Sequence, residues 1–296
     1  MTTNQTIAKG DIVQFKTSDG LVLEGFLVRR EKTKPCVIYV HEWGGNFYRE
    51  PAAGMVRELS RRKISALSIN TRGHDKVAFI TRIVGKKRTR LVGGVELEKF
   101  EETVLDIDGA IKYLKQLGFR KFVLCGHSTG CQKVTYYQFR KINSDVIGLV
   151  LMSPSDDYNI WKHMLGRNFD KTVKMAKKLV EEGDGYQFNF VHGETPQRFL
   201  SVADTENIEA RLFNYNGKLK EFSKIRTPVL VLFGSKEKPS REPYLKLLES
   251  RSNSNFFESH VIKGVGHYYL GSEGRVADII SNFVSQVESR PVNTRD

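Results

Sequence analysis

Five short, largely apolar runs constrain this chain more than any other feature: CVIYVH at 36–41, ISALSIN at 64–70, KFVLCG at 121–126, VIGLVLMSP at 146–154 and PVLVLFGS at 228–235. Each has the length of a strand, and runs of this kind suit strands covered on both faces of a parallel sheet. Helix-compatible stretches separate them. Residues 50–62 form one, and residues 95–117 place Val104, Ile107, Ile111 and Leu114 at helical spacing before Gly118. A third runs from Thr129 to about Arg140. Strand, helix, strand, helix, strand implies a parallel sheet with right-handed crossovers and helices on both faces. Ahead of it, DIVQFKT and LVLEGFLVR, joined through Ser18-Asp19-Gly20, predict an antiparallel hairpin. A helix near 241–251, a strand at 256–263 and a helix at 273–288 complete the pattern.

The rhythm breaks between about 155 and 224, where a helix-like stretch with Val173, Ala176, Leu179 and Val180 on one side precedes irregular, aromatic-rich sequence. We expect a cap inserted into a single α/β domain: core at 1–154, cap at 155–224, core again at 225–296. Trp161, Phe169, Tyr186, Phe188 and Phe190 either cover a site or form the small core of the cap.

At 296 residues, with 40% hydrophobic and 27% charged residues, the chain can bury a large core. No apolar run reaches the ~18 to 20 residues of a membrane span, and the start MTTNQTIAKGD lacks the apolar centre of a signal peptide. The expectation is a cytoplasmic protein without a membrane span. Cys36, Cys125 and Cys131 form no ligand-spaced or redox pair, so packing is their expected role, and neither metal nor cofactor is called for. The 47 Lys and Arg against 34 Asp and Glu give a formal charge of +13, a field that concentrates anions, including anionic small-molecule substrates. The densest basic stretch, RIVGKKRTR at 82–90, reads as a solvated loop or a rim that steers substrate. It lacks the interleaved aromatics of a single-strand binder, so no nucleic-acid partner is expected. Oligomeric state is not legible.

Gly126-His127-Ser128-Thr129-Gly130 fits G-x-S-x-G, placed between a strand and a helix, where a sharp turn presents the serine hydroxyl. A serine hydroxyl is a weak nucleophile and needs a base, which in turn needs a group to orient it. Open parallel sheets gather such groups beyond the carboxyl ends of their strands. His267, in the loop after the last strand, is the expected base. Glu237, just past PVLVLFG, is the expected acid, with Asp156 in SPSDDY as the alternative. The oxyanion of acyl transfer needs fixed donors; the Thr129 and Trp43 backbone N–H groups are the candidates.

Together these residues resemble the α/β-hydrolase superfamily from about residue 11 to 288, with the family's order Ser128, Glu237, His267. The resemblance implies the α/β-hydrolase fold, a mostly parallel central sheet with helices on both faces and an inserted cap. GHSTGCQ, NTRGHD and HEWGGNFYRE are also similar to a branch containing fungal fusarinine-type siderophore esterases and uncharacterised prokaryotic proteins. That narrower likeness implies hydrolysis of a small-molecule ester. HEWGGN is also similar to a loop of dienelactone hydrolases, whose glutamate there interacts with a cysteine nucleophile. Here the elbow carries serine, so Glu42 is read as tuning the site, contacting a cationic substrate group, or making a structural hydrogen bond.

The expectation is therefore a serine hydrolase cleaving a carboxylic ester through an acyl-enzyme. A thioesterase or lactonase with the same triad, or a ligand-binding receptor on the same fold, are the alternatives.

Overall fold

A computed structural model describes residues 8–239 and 241–290. Strands β1 (Asp11–Lys16) and β2 (Leu21–Val28) pair as the expected antiparallel hairpin. There follow β3 (Cys36–Val40), α1 (Ala52–Arg61), β4 (Ser65–Ile69), β5 (Ala78–Val84), β6 (Lys87–Gly93), α2 (Thr103–Gln116), β7 (Phe122–His127), α3 (Thr129–Lys141) and β8 (Val146–Met152). The inserted region carries α4 (Asp157–Leu165), α5 (Phe169–Glu181), α6 (Pro196–Ala203) and α7 (Ile208–Leu212). The chain then resumes with β9 (Val229–Gly234), α8 (Glu242–Arg251), β10 (Phe257–Ile262) and α9 (Glu273–Ser289).

The strands form one sheet in the order β10-β9-β8-β7-β3-β4-β2-β5-β6, with β1 against β2. From β10 to β4 every pairing is parallel, while β2, β5 and β6 pair antiparallel. This is the α/β-hydrolase fold. Because successive strand side chains point to opposite faces, the apolar runs feed two cores at once. Ile38, Val40 and Leu124 pack with Ile107 and Leu114 of α2 and Val134 of α3, whereas Val37, Tyr39 and Val123 pack with Met55 and Leu59 of α1 and Ile280 and Phe283 of α9. Each such side chain contributes about 1.5–3 kcal/mol on burial.

A third core lies in the cap, where Phe169, Ala176, Phe199 and Leu200 pack against Trp161, Val173 and Phe190. Trp161, Phe169 and Phe190 thus belong to that core, and Tyr186 and Phe188 are exposed. Leu212, Phe213, Leu219 and Phe222 instead join the core beneath the sheet.

Residues 82–90 are not a loop. They span the facing halves of β5 and β6, an antiparallel hairpin at the sheet edge that turns through Gly85-Lys86. Alternation was obscured in the sequence because the outward positions carry Arg88, Arg90, Phe79 and Val92 rather than polar residues alone. Helix α2 also begins later than expected, at Thr103, because residues 94–99 turn through Gly94 (φ +104°) and send the Glu96 and Glu98 side chains into the interior.

Candidate active site

Strand β7 ends at His127 and α3 begins at Thr129, leaving Ser128 alone in the turn with φ +51° and ψ −120°. A non-glycine residue held there stores strain of roughly 1–3 kcal/mol. The surroundings enforce it: the Ser128 N–H donates to the Met152 carbonyl at 2.8 Å. A Cβ at Gly126 would run into the Gly130 backbone, and one at Gly130 into the Val40 carbonyl, which accounts for both glycines of the motif.

Glu237 follows β9 and His267 follows β10, so both reach the same sheet edge as Ser128. His267 Nδ1 lies 3.0 Å from Glu237 Oε2. Glu237 Oε1 accepts from the Gly234 N–H at 2.7 Å and from Ser153 Oγ at 2.6 Å. Burial pushes this carboxyl up, but the His267, Ser153 and Gly234 bonds more than offset it and hold Glu237 below the usual carboxylate range. Ser153 Oγ also lies 2.7 Å from Tyr269 Oη, which donates to the Leu232 carbonyl at 2.9 Å. Neither Ser153 nor Tyr269 is legible from local pattern, since their contacts arise only when the ends of β8, β9 and β10 lie side by side. Asp156 is engaged elsewhere: it caps α4 through the Asn159 N–H at 3.2 Å and accepts from the Tyr215 N–H at 3.0 Å.

Two cavities meet at Ser128. One, of about 480 Å³, is lined by Ser128, His267, Glu237, Lys236, Lys238 and Arg241. The other, of about 210 Å³, lies under the cap between Trp43 and Trp161 and includes Thr129, Met164, Glu194 and Arg198. Thr129 is the first residue of α3, so its N–H is an end donor of the helix. Among the described residues the Trp43 N–H likewise has no acceptor.

Glu42 reaches the elbow through His127. His127 Nδ1 lies 3.3 Å from Glu42 Oε2, and Nε2 donates to the His267 backbone carbonyl at 2.8 Å. Burial raises the Glu42 carboxyl, and its bond and charge interaction with His127 bring it below the ordinary value. The two imidazoles of His127 and His267 sit 5.0 Å apart, centre to centre. Behind them, the buried His41 donates from Nδ1 to the Glu42 carbonyl at 2.8 Å and accepts the Thr71 N–H at Nε2, 3.2 Å away.

The cap is tied down by buried charge that sequence reading missed. Lys133 Nζ donates to Thr71 Oγ1 at 3.1 Å and to Glu98 Oε2 at 2.8 Å. Arg198 of α6 lies 3.6 Å from Glu98 and grips Glu209 with two bonds of 2.6 and 2.9 Å. Among the described residues no group of three His, Cys, Asp or Glu side chains could hold a metal ion, and no helix is long and apolar enough to cross a membrane.

Solved structures share this architecture at low identity. Est1E from Butyrivibrio proteoclasticus, with ferulic acid bound, aligns with a TM-score of 0.65 at 15% identity, covering 94% of this chain and 100% of its own. The Pyrococcus furiosus esterase Pf2001 aligns at 0.60 and 14%, covering 97% and 95%. Mouse alpha/beta hydrolase domain-containing protein 10 aligns at 0.63 and 14%, covering 94% and 99%. Comparison with curated proteins finds no sequence match. Residues 93–269, more than half of the chain and including Ser128, Glu237 and His267, match the family described as protein of unknown function (DUF1749), and the chain belongs to that family.

Proposed function

We propose that the protein is a serine hydrolase that cleaves a carboxylic ester of a small molecule through an acyl-enzyme. The carrying observation is that the strained Ser128 and the Glu237-paired His267 line one cavity at the carboxyl edge of the sheet. With Glu237 ionised and accepting from Nδ1, the Nε2 lone pair of His267 is the base. It takes the proton from Ser128 Oγ as that oxygen attacks the carbonyl. The Thr129 and Trp43 N–H groups receive the oxyanion, each contributing on the order of 10²- to 10³-fold in rate. His267 then returns the proton to the leaving alkoxide, and in the second half-reaction activates the water that releases the acid. Glu42 is a positioning residue in this scheme, since His127 carries its influence to the His267 backbone.

The same logic divides the substrate. The leaving alcohol must lie where His267 can protonate it, in the 480 Å³ cavity, whose Lys236, Lys238 and Arg241 suit an anionic or oxygen-rich group. The acyl chain then occupies the 210 Å³ cavity between Trp43 and Trp161. The likeness to esterases favours an oxygen ester over a thioester or lactone. Siderophore esters enter the substrate screen on the narrower motif likeness. The buried thiols of Cys36, Cys125 and Cys131 suit a reducing compartment, and we assign the protein to the cytosol on the same reading.

The test is hydrolysis of p-nitrophenyl esters from acetate to laurate by wild type and Ser128→Ala in EDTA, with fluorophosphonate labelling alongside. Turnover and labelling, both lost in the variant, are expected. Labelling of Ser128 without turnover of any ester would favour a receptor on this fold instead.

A further inference from the structure

The cavity between Trp43 and Trp161 is lined by a buried carboxyl group, that of Glu194. Glu194 sits in the turn that leads into α6 and is 6% exposed, and among the described residues its carboxyl has neither a hydrogen bond nor an ion pair. Burying a carboxyl without a partner costs several kcal/mol on the scale of polar-group transfer. Of the neighbouring cations, Arg198 and Lys133 are already matched, while the exposed Lys76 acts on Glu194 and Glu96 through its charge alone. Arg198 is committed to Glu209 and Glu98, and Lys133 to Glu98. Glu96 accepts the Thr195 N–H at 2.8 Å, and Asp157, at the same cavity, accepts from Ser155 and Gln132. Arg198 Nε also lacks an acceptor, but its positive charge is neutralised by the two glutamates that face its terminal nitrogens. Lys76 offsets at most one of the carboxylates of Glu194, Glu96 and Asp157, so the uncompensated charge at this cavity is negative.

The remaining walls, Trp43, Ile160, Trp161, Met164 and Val202, are apolar. Methylenes can lie along them, while the carboxyl of Glu194 suits a cation. A group with a short apolar stem and a positively charged, N–H-rich end satisfies both kinds of surface.

We propose that Glu194 is a specificity-determining residue that receives a primary ammonium group on the acyl chain of the ester. The assignment rests on the hydrolase reading above, which puts the acyl chain in this cavity. Burial raises Glu194 to about 7, with Arg198 and Lys76 opposing the rise and Glu96 and Glu209 adding to it. Asp157 across the cavity is raised to about 6, also chiefly by burial. An ammonium bound here restores the ionised carboxylate that burial disfavours.

The test compares phenyl esters of 3-aminopropanoate and 6-aminohexanoate with those of their isosteres, butanoate and heptanoate. In wild type, kcat/KM for at least one amino ester should exceed that of its isostere by about ten-fold or more, mainly through KM, as for a charge-assisted buried hydrogen bond. That ratio should grow as pH rises through about 7 and fall to one or below in Glu194→Gln. A wild-type ratio of one or less at both chain lengths overturns the assignment without any variant and leaves the hydrolase reading intact. A ratio unchanged in folded Glu194→Gln does the same. Failure to turn over all four esters, with no fluorophosphonate labelling of Ser128, overturns the hydrolase reading and this assignment with it.

Discussion

Replacing Glu237 by Gln changes one atom and should cost almost all of the chemistry. The side chain is 2% exposed, and three donors converge on it: the Gly234 N–H, Ser153 Oγ and His267 Nδ1. In Gln the remaining oxygen keeps Gly234 and Ser153, which places the amide NH₂ opposite His267. An amide nitrogen donates, so the ring must present a lone pair at Nδ1 and carry its proton on Nε2. The Nε2 lone pair that the proposed mechanism uses as the base is then gone. A wrong tautomer of this kind lowers kcat by about 10⁴ in the serine-protease template, or about 5.5 kcal/mol in the barrier. The buried charge-assisted bonds lost with the carboxylate should lower stability by about 1–3 kcal/mol. The native carboxyl lies below its ordinary value, so its stabilising contribution is full above the unfolded carboxylate value and is lost as pH falls through the native one. Glu237→Gln should lack that acid-side loss. The assay is single-turnover release of p-nitrophenol from the acetate ester, with urea midpoints measured in parallel. Asp156→Asn is the control: it keeps a cap acceptor for the Asn159 N–H, loses the oxygen that accepts from Asn159 Nδ2 and the Tyr215 N–H at a cost of about 1–3 kcal/mol, and should leave kcat within about three-fold. Glu237→Gln activity within ten-fold of wild type, or a thousand-fold loss in Asp156→Asn, would refute the assignment of the acid.

Other perturbations probe the supports of the site. Glu42→Gln should lower kcat several-fold with little change in KM, by loosening His127 and so the His267 backbone; an unchanged rate and pH profile would mark Glu42 as purely structural. His41 is pushed down to about 3, first by burial and then by Lys133, so it stays neutral when folded. Its contribution is full above about pH 6.5 and declines below, at about 1.4 kcal/mol per pH unit, and urea midpoints from pH 7 to 4 should show a shallower slope in His41→Asn. Phe199→Ala, at the fully buried centre of the cap, should cost about 3–5 kcal/mol. Hydrogen exchange should show the loss concentrated in α4 to α6; an even loss across the sheet would contradict a separate cap core.

The parts of the fold that were legible share one property: their pattern is local. CVIYV reads as a buried strand because Ile38 and Val37 serve different cores from adjacent positions. Ser128, Glu237 and His267 were legible as candidates because each follows an apolar run and precedes a helix. The β5–β6 hairpin was not, since an edge strand open to solvent tolerates Arg88 and Arg90 beside Phe79 and Val92, and alternation loses its contrast. Glu98, Glu194 and Arg198 were illegible for a different reason. A buried charge looks like a surface charge until its surroundings are known, and those come from other segments of the chain, as Lys133 does for Glu98.

The buried sequence of charges from Lys133 through Glu98 and Arg198 to Glu209 has a consequence for how proteins of this fold could be recombined. Stripping one member from a buried ion pair costs roughly 3–5 kcal/mol, because the other is left charged in a dry interior. A cap grafted from another protein of this fold takes Arg198 and Glu209 away together, and without an arginine at the position of Arg198 it leaves Glu98 with Lys133 as its one cation among the described residues. The roof and the floor of this protein are therefore coupled at one point: substitutions that reshape the Trp43–Trp161 cavity can accumulate on its apolar walls, while an exchanged cap has to bring its own cation to Glu98.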